Sequence, residues 1–136
     1  MKKIFDPTRK KYVAATPEEL VRQGFIKFLL SRGFPIEVIK TEVSLDFASA
    51  RKRADIVVYY RSKPVLIVEC KAPDVKIGSD TLTQIWQYFY SLGALYLVLT
   101  NGKQTFICRV DQGKCEFLTD FPSWEQVKNT ADELNF

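Results

Sequence analysis

The chain predicts a mixed α/β fold, with one sheet covered by helices. Three observations lead there: helical periodicity in three separate stretches, short β-branched runs between them, and tight-turn signals where those runs reverse. With 136 residues, 46% of them hydrophobic and 26% charged, the chain has the size and composition of one globular domain. We read residues 1–136 as a single domain in which residues 1–15, having little periodicity, form an N-terminal arm.

The first helix opens at Thr16-Pro17-Glu18-Glu19: an N-cap hydroxyl, a proline at the first helical position, and a glutamate three residues after the cap. Leu20, Val21, Phe25, Phe28 and Leu29 then recur at helical spacing until Gly33 and Pro35 end the run. Pro35 to Ile39 has room for one further turn. Thr41 to Asp46 alternates polar and apolar residues, as a half-buried strand does. Ala54 to Tyr60 and Pro64 to Cys70 are β-branched-rich runs separated by Arg61-Ser62-Lys63, the pattern of a hairpin. A second helix begins near Asp80, with Leu82, Ile85, Trp86, Phe89 and Leu92 on one face and Gly93 as its stop. Leu95 to Thr100 is an apolar strand that runs into the tight-turn pair Asn101-Gly102, and Gln104 to Arg109 returns. Cys115 to Leu118 follows as a further strand, and Ser123-x-x-Gln126 caps a last helix through Leu134.

Composition removes several classes of chemistry. With no histidine, the chain cannot supply a Ser-His or Cys-His pair, a histidine nuclease site or a histidine metal site. Cys70, Cys108 and Cys115 are odd in number and contain no C-x-x-C pair. That argues against a disulfide framework or a cysteine zinc site, and for a reducing, cytoplasmic location. No apolar run approaches the ~18–20 residues of a membrane span, and no signal-peptide core follows Met1-Lys2-Lys3. Charge is uneven: residues 1–63 carry 14 Lys and Arg against 7 Asp and Glu, and residues 64–136 carry 6 against 9. The basic half, with clusters at Arg9-Lys10-Lys11 and Arg51-Lys52-Arg53, suits a polyanionic partner or an ordinary solvated surface.

The informative stretch is Asp55 followed by Val65-Leu66-Ile67-Val68-Glu69-Cys70-Lys71. An apolar strand that ends in a carboxylate, a thiol and an ammonium calls for a reason. Alternation puts Glu69 and Lys71 on one face and Cys70 on the other. If Arg61 to Lys63 is a three-residue loop, Tyr60 faces Pro64 and Asp55 falls opposite Glu69, with β-carbons about 4.5–5.5 Å apart. Two carboxyl groups that close share a proton or a divalent cation. Magnesium, with manganese as its substitute, takes oxygen ligands, needs few carboxylates and leaves positions for water and a phosphate. Cys70 contributes at most its backbone carbonyl. Lys71 can orient or deprotonate the water or steady the phosphorus, which fits metal-assisted phosphodiester hydrolysis. The same spacing also allows a plain ion pair between Glu69 and Lys71. Asp74-Val75-Lys76 repeats the acid-x-Lys pattern, but no strand precedes it.

These residues resemble the PD-(D/E)xK nuclease superfamily. Asp55, Glu69-Cys70-Lys71-Ala72-Pro73 and Gln84-Ile85-Trp86-Gln87-Tyr88 are similar, more narrowly, to the N-terminal nuclease domain of type I restriction endonuclease R subunits. The resemblance runs from about Thr16 to Arg109 and takes in Val21-Arg22-Gln23, Arg53-Ala54-Asp55 and Leu99-Thr100-Asn101-Gly102, with Ala54 where the superfamily often has proline. It implies a restriction-endonuclease-like mixed β-sheet core flanked by helices, and a magnesium-dependent DNA cleavage site. By position, Asp55 and Glu69 would be metal ligands and Lys71 the catalytic lysine. Gln84 and Tyr88 would face the site and place the DNA or the lysine. A glutamate of the first helix often completes the metal site in this family; Glu19 is the choice and Glu18 the alternative, although Glu19 is also the capping-box residue of Thr16. Arg51, Lys52 and Arg53 would grip phosphates near the cut or cover the sheet edge with charge. The restriction subunits carry a motor after this domain. The chain is therefore expected to be a small nuclease, a piece acting with a motor or specificity subunit in trans, or a catalytically inactive DNA-binding module or regulatory subunit of the same fold.

Overall fold

The computed structural model describes residues 1–47, 50–89 and 92–136, without the side chains of Phe47, Ala50 and Tyr88. The Thr16 hydroxyl accepts the Glu19 backbone N–H and opens helix α1 (Pro17–Ser31) where the sequence predicts it. Gly33, with φ of 89°, turns the chain away, and a single 3-10 turn at Ile36–Val38 leads into the sheet. The sheet strands are β3 (Ile39–Phe47), β4 (Ala50–Tyr60), β5 (Lys63–Cys70), β6 (Tyr96–Thr100), β7 (Thr105–Asp111) and β8 (Lys114–Phe117). Helix α2 (Ser79–Phe89) joins β5 to β6, and α3 (Trp124–Glu133) closes the chain under the Ser123–Gln126 capping box.

Among the described residues the main sheet has six strands in the order β3-β4-β5-β6-β7-β8. Neighbours run antiparallel except β5 and β6, which are parallel and joined by the α2 crossover. Helices lie on both faces. Val21, Phe25, Ile26 and Leu29 of α1 and Val127 and Ala131 of α3 pack with Ile56, Val58, Leu66 and Val68. Leu82 and Phe89 of α2 pack with Val57, Ile67, Leu97 and Leu99 on the opposite face. The expected mixed α/β core flanked by helices is the observed one.

Three local expectations change. The N-terminal arm is folded: β1 (Lys3–Asp6) and β2 (Lys11–Ala14) make a two-stranded antiparallel hairpin. The β4–β5 loop has two residues, not three, because Tyr60 pairs with Lys63, and Arg61 and Ser62 both take positive φ, 53° and 64°. Those are the dihedral signs of a type I′ turn, whose twist suits a hairpin. A bulge between Val58 and Tyr59 then inserts Val65 as an extra residue on β5. From Val58–Leu66 to Ile56–Val68 the pairing returns to the offset that faces Asp55 toward Glu69. The third change is a disulfide between Cys108 and Cys115, which leaves Cys70 as the free, buried cysteine. The β7–β8 hairpin brings their Cα atoms to 5.6 Å, a cross-strand adjacency that counting cysteines cannot reveal. The cysteine argument for a reducing compartment thereby loses two of its three residues. Among the described residues no helix is long and apolar enough to cross a membrane.

A left-handed conformation strains a residue with a β-carbon, so Ser62→Gly should raise stability by about 0.5–1 kcal/mol. Urea denaturation measures this; an unchanged or lower midpoint would contradict the turn assignment.

Candidate active site

The site lies at the end of the β5 ladder. Its last pair with β4 is Ile56–Val68; beyond it the Cys70 N–H donates instead to Asp55 Oδ2, at 2.7 Å. Asp55 thus caps the strand with its side chain. Its other oxygen, Oδ1, accepts from Arg22 Nη2 of α1 at 2.9 Å. On the β3 side the ladder passes from Thr41–Ile56 to Val43–Ala54 without a Glu42–Asp55 pair, and Glu42 takes φ of 52°. The backbone distortion comes with the Glu42 carboxylate at 3.2 Å from Arg22 Nη1.

Glu69 meets Asp55 as its spacing predicts. Burial first, then hydrogen bonding to Asp55 and that residue's charge, push the Glu69 carboxyl up to about 8, against the opposing pull of Lys71 and Lys52. Its Oε2 is buried and finds no hydrogen-bond donor among the described residues. A buried carboxylate oxygen left this way costs free energy, which either a shared proton or a cation removes. The donor set therefore fits a hard divalent ion: two convergent carboxyl groups, one with an orphaned oxygen, and a lysine close by. Among the described residues no three Asp, Glu or Cys side chains are arranged to hold a metal ion. Magnesium sites commonly use one or two carboxylates and fill the rest with water and phosphate.

Lys71 forms no salt bridge with Glu69 within 4.0 Å, so the plain ion pair that the sequence allowed is not made. Lys71 acts on Glu69 through its charge, and its backbone N–H is held by Thr100 O at 2.9 Å. The loop after it is anchored as well. Asn101, buried, accepts the N–H groups of Lys103 and Gln104 and donates to Val75 O at 2.9 Å.

The other expected residues are placed unevenly. Lys52 comes close enough to Glu69 to lower its affinity for a proton, and its ammonium lies 5.5 Å from the centre of the Phe89 ring. Arg51 and Arg53 are exposed and pair with Asp46 and Glu42, at 2.8 and 3.2 Å. Gln84 stands on the exposed face of α2 and makes no hydrogen bond to Asp55, Glu69 or Lys71. Tyr88 belongs to α2, but its side chain lies outside the described residues. Glu19 faces cations of the protein itself, Arg9 Nη2 at 2.7 Å and Arg22 Nη1 at 2.8 Å, and accepts from the neutral Gln23 amide at 3.1 Å. Arg9 is turned inward, so of the first basic cluster only Lys10 and Lys11 remain exposed.

Arg22 and Glu42 are residues to which sequence reasoning gave no role, and Arg9, read there as part of a basic cluster, turns out to pair with Asp6 and Glu19. Arg22 carried a local signal, three and four residues after Glu19 and Glu18, but that spacing is common on helix surfaces. Arg9 is held by Asp6, whose carboxyl burial would raise; hydrogen bonds from Thr8 and Arg9 outweigh burial and hold it at about 2.

The family described as type I restriction enzyme R protein N terminus (HSDR_N) matches residues 17–122. The chain belongs to this family. The match spans α1 to the approach to α3 and contains Asp55, Glu69, Lys71 and Gln84. No curated protein matches the chain. Among solved structures, the fold is similar to a fragment described as an HsdR subunit of a type I restriction enzyme from Vibrio vulnificus, at 21% identity and a TM-score of 0.65. That match covers 91% of this chain and 27% of the other, so the chain spans about a quarter of that relative. A protein described as a nuclease of the DUF820 group from Anabaena variabilis is similar at 14% identity and a TM-score of 0.58, over 88% of this chain and 81% of the other. At these identities the two structures show a common fold.

The Glu69 carboxyl also sets a pH dependence. Its folded value of about 8 lies above the ordinary 4.5, so the fold favours the protonated form. That contribution is complete below about pH 4.5 and is lost as pH rises through about 8. In a chelating buffer the melting temperature should therefore fall across this interval, and Glu69→Gln should remove most of the fall. An unchanged slope in that variant would show that Glu69 does not hold the proton.

Proposed function

We propose that the chain is a nuclease domain that hydrolyses DNA phosphodiesters, with Asp55 and Glu69 holding a magnesium or manganese ion and Lys71 as the catalytic lysine. The observation that carries the reading is the convergence of the two carboxyl groups at the end of β5, with Glu69 Oε2 buried and unpartnered. Membership in the type I restriction R-protein N-terminal family supports it. The Cys70 backbone carbonyl is assigned as a third ligand. When bound, such an ion supplies Lewis-acid charge for phosphodiester hydrolysis.

The chain's own residues do the rest. Arg22 and the Cys70 N–H fix the Asp55 carboxylate from both sides, so little reorganisation is needed when the site is loaded. Lys71 supplies positive charge beside Glu69, where a scissile phosphate would gather negative charge. Gln84 and Tyr88 are assigned to placing the DNA from α2. Arg51, Lys52 and Arg53 are assigned to phosphates outside the cut, and Arg51 and Arg53 would exchange exposed ion pairs of small worth for them. The reading places the protein in the cytoplasm with DNA as its partner, and a motor or specificity subunit as a partner in trans.

A second reading is a catalytically inactive DNA-binding module, or a regulatory subunit, with the same fold. One observation favours it: Arg22 already neutralises Asp55. Plasmid cleavage in magnesium or manganese separates the two. Asp55→Asn keeps an acceptor for Cys70 N–H and should lower the rate by at least about a hundredfold, with an unchanged circular dichroism spectrum. Glu69→Gln and Lys71→Ala should do the same. Cleavage by Asp55→Asn at the wild-type rate would refute the nuclease reading. Metal-independent DNA binding with a steep salt slope, and no cleavage, would establish the module.

A further inference from the structure

We propose that Arg22 is a built-in cation filling the α1 side of the acid cluster, so that the centre of Asp55 and Glu69 takes one divalent ion and Glu19 is not among its ligands. The inference rests on the nuclease reading and specifies its metal content.

Four carboxylates surround one guanidinium. Nη1 lies 2.8 Å from Glu19 Oε1 and 3.2 Å from Glu42 Oε1; Nη2 lies 2.9 Å from Asp55 Oδ1 and 3.7 Å from Glu18 Oε1. Acids from α1, β3 and β4 brought this close repel one another and need a cation between them, and arginine supplies it. The guanidinium keeps its charge at any working pH and presents its donors in a rigid planar fork, so it cannot yield by losing a proton. Burial works against the charged form, yet Asp55, Glu19 and Glu42 together raise the Arg22 pKa further.

Glu19 is committed in the same way. Its Oε1 accepts from both Arg9 and Arg22, and its Oε2 from Gln23. A metal ligand must bring oxygen to about 2.0–2.1 Å of magnesium; at Oε1 this would break charge-assisted hydrogen bonds to two guanidinium groups, and at Oε2 it would displace the Gln23 amide and set the ion beside both of them. Access does not account for the exclusion. A cleft of about 470 Å³ opens onto Glu18, Glu19, Arg22, Glu42 and Ala72. The cleft gives small ions a path to the cluster, where the carboxylate oxygens already accept from guanidinium donors. Glu69 is not among the ion-pair partners of Arg22 and keeps its orphaned oxygen.

Manganese titration by calorimetry and electron paramagnetic resonance tests this on the whole chain. Wild type should take one ion per chain. Glu19→Gln leaves an amide oxygen for the arginines, and should bind that ion within about threefold of wild type, whereas Glu69→Gln should weaken it more than about tenfold. Arg22→Met should admit a second ion, and adding Glu19→Gln to it should remove that ion again. Two ions in wild type, or a loss of about tenfold or more in Glu19→Gln, overturns the proposal and leaves the nuclease reading standing. A folded Arg22→Met that still takes one ion overturns it too. No saturable manganese in wild type overturns the nuclease reading itself. If Arg22→Met does not fold, the wild-type stoichiometry and Glu19→Gln decide.

Discussion

The Asp55 carboxylate ties three parts of the fold together through two oxygens. One takes the Arg22 guanidinium of α1, and the other takes the Cys70 N–H at the end of β5. Around this junction Arg22 gathers Glu19 and Glu42, and Arg9 carries the network out to the N-terminal hairpin through Asp6. Desolvating so many charges has a cost that their mutual attraction offsets only when the geometry is good, so the network is weak grounds for high stability. Its effect is to fix position. Removing Arg22 would leave the Asp55 carboxylate without its ion-pair partner, so α1, β3 and the hairpin keep their relation to Asp55.

The rest of the site follows from strand direction. β5 and β6 are parallel, so the end of one at Cys70 lies beside the end of the other at Thr100. Lys71 is held by Thr100, and the chain beyond it by Asn101, at a turn whose Gly102 has φ of 86° and leaves only 3.4 Å between a would-be β-carbon and Val21. A lysine on a free loop would sample many positions. Here the Lys71 backbone is hydrogen-bonded to the sheet, and the turn that anchors the following loop rests against α1.

The parts of this arrangement that were legible in the sequence are those governed by local periodicity. Alternation along Val65 to Lys71 put Glu69 on its face, the offset assumed from a three-residue loop set it toward Asp55 only because a bulge compensates for the two-residue turn, and the Thr16 and Ser123 caps announced two helices. The acid network was not legible, because its key partner, Asp55, is 33 residues from Arg22 and no spacing rule joins a helix surface to a strand so far along the chain. Glu42 looked like a polar residue on the outer face of a strand until its backbone turned it toward Arg22. The N-terminal hairpin was missed for a different reason: strands of four residues are too short to show a period. Cys108 and Cys115 became neighbours only once β7 and β8 were in register.

The bulge at Val65 has a consequence for how this family can vary. With the Arg61–Ser62 turn alone, continuing the Tyr59–Pro64 offset would set Asp55 against Val68 and Glu69 against Ala54. The single inserted residue acts as a vernier, correcting the alignment about 13 Å before it reaches Glu69. Insertions and deletions in this surface loop are therefore not neutral. Each would need a compensating change in the kink to keep Asp55 opposite Glu69.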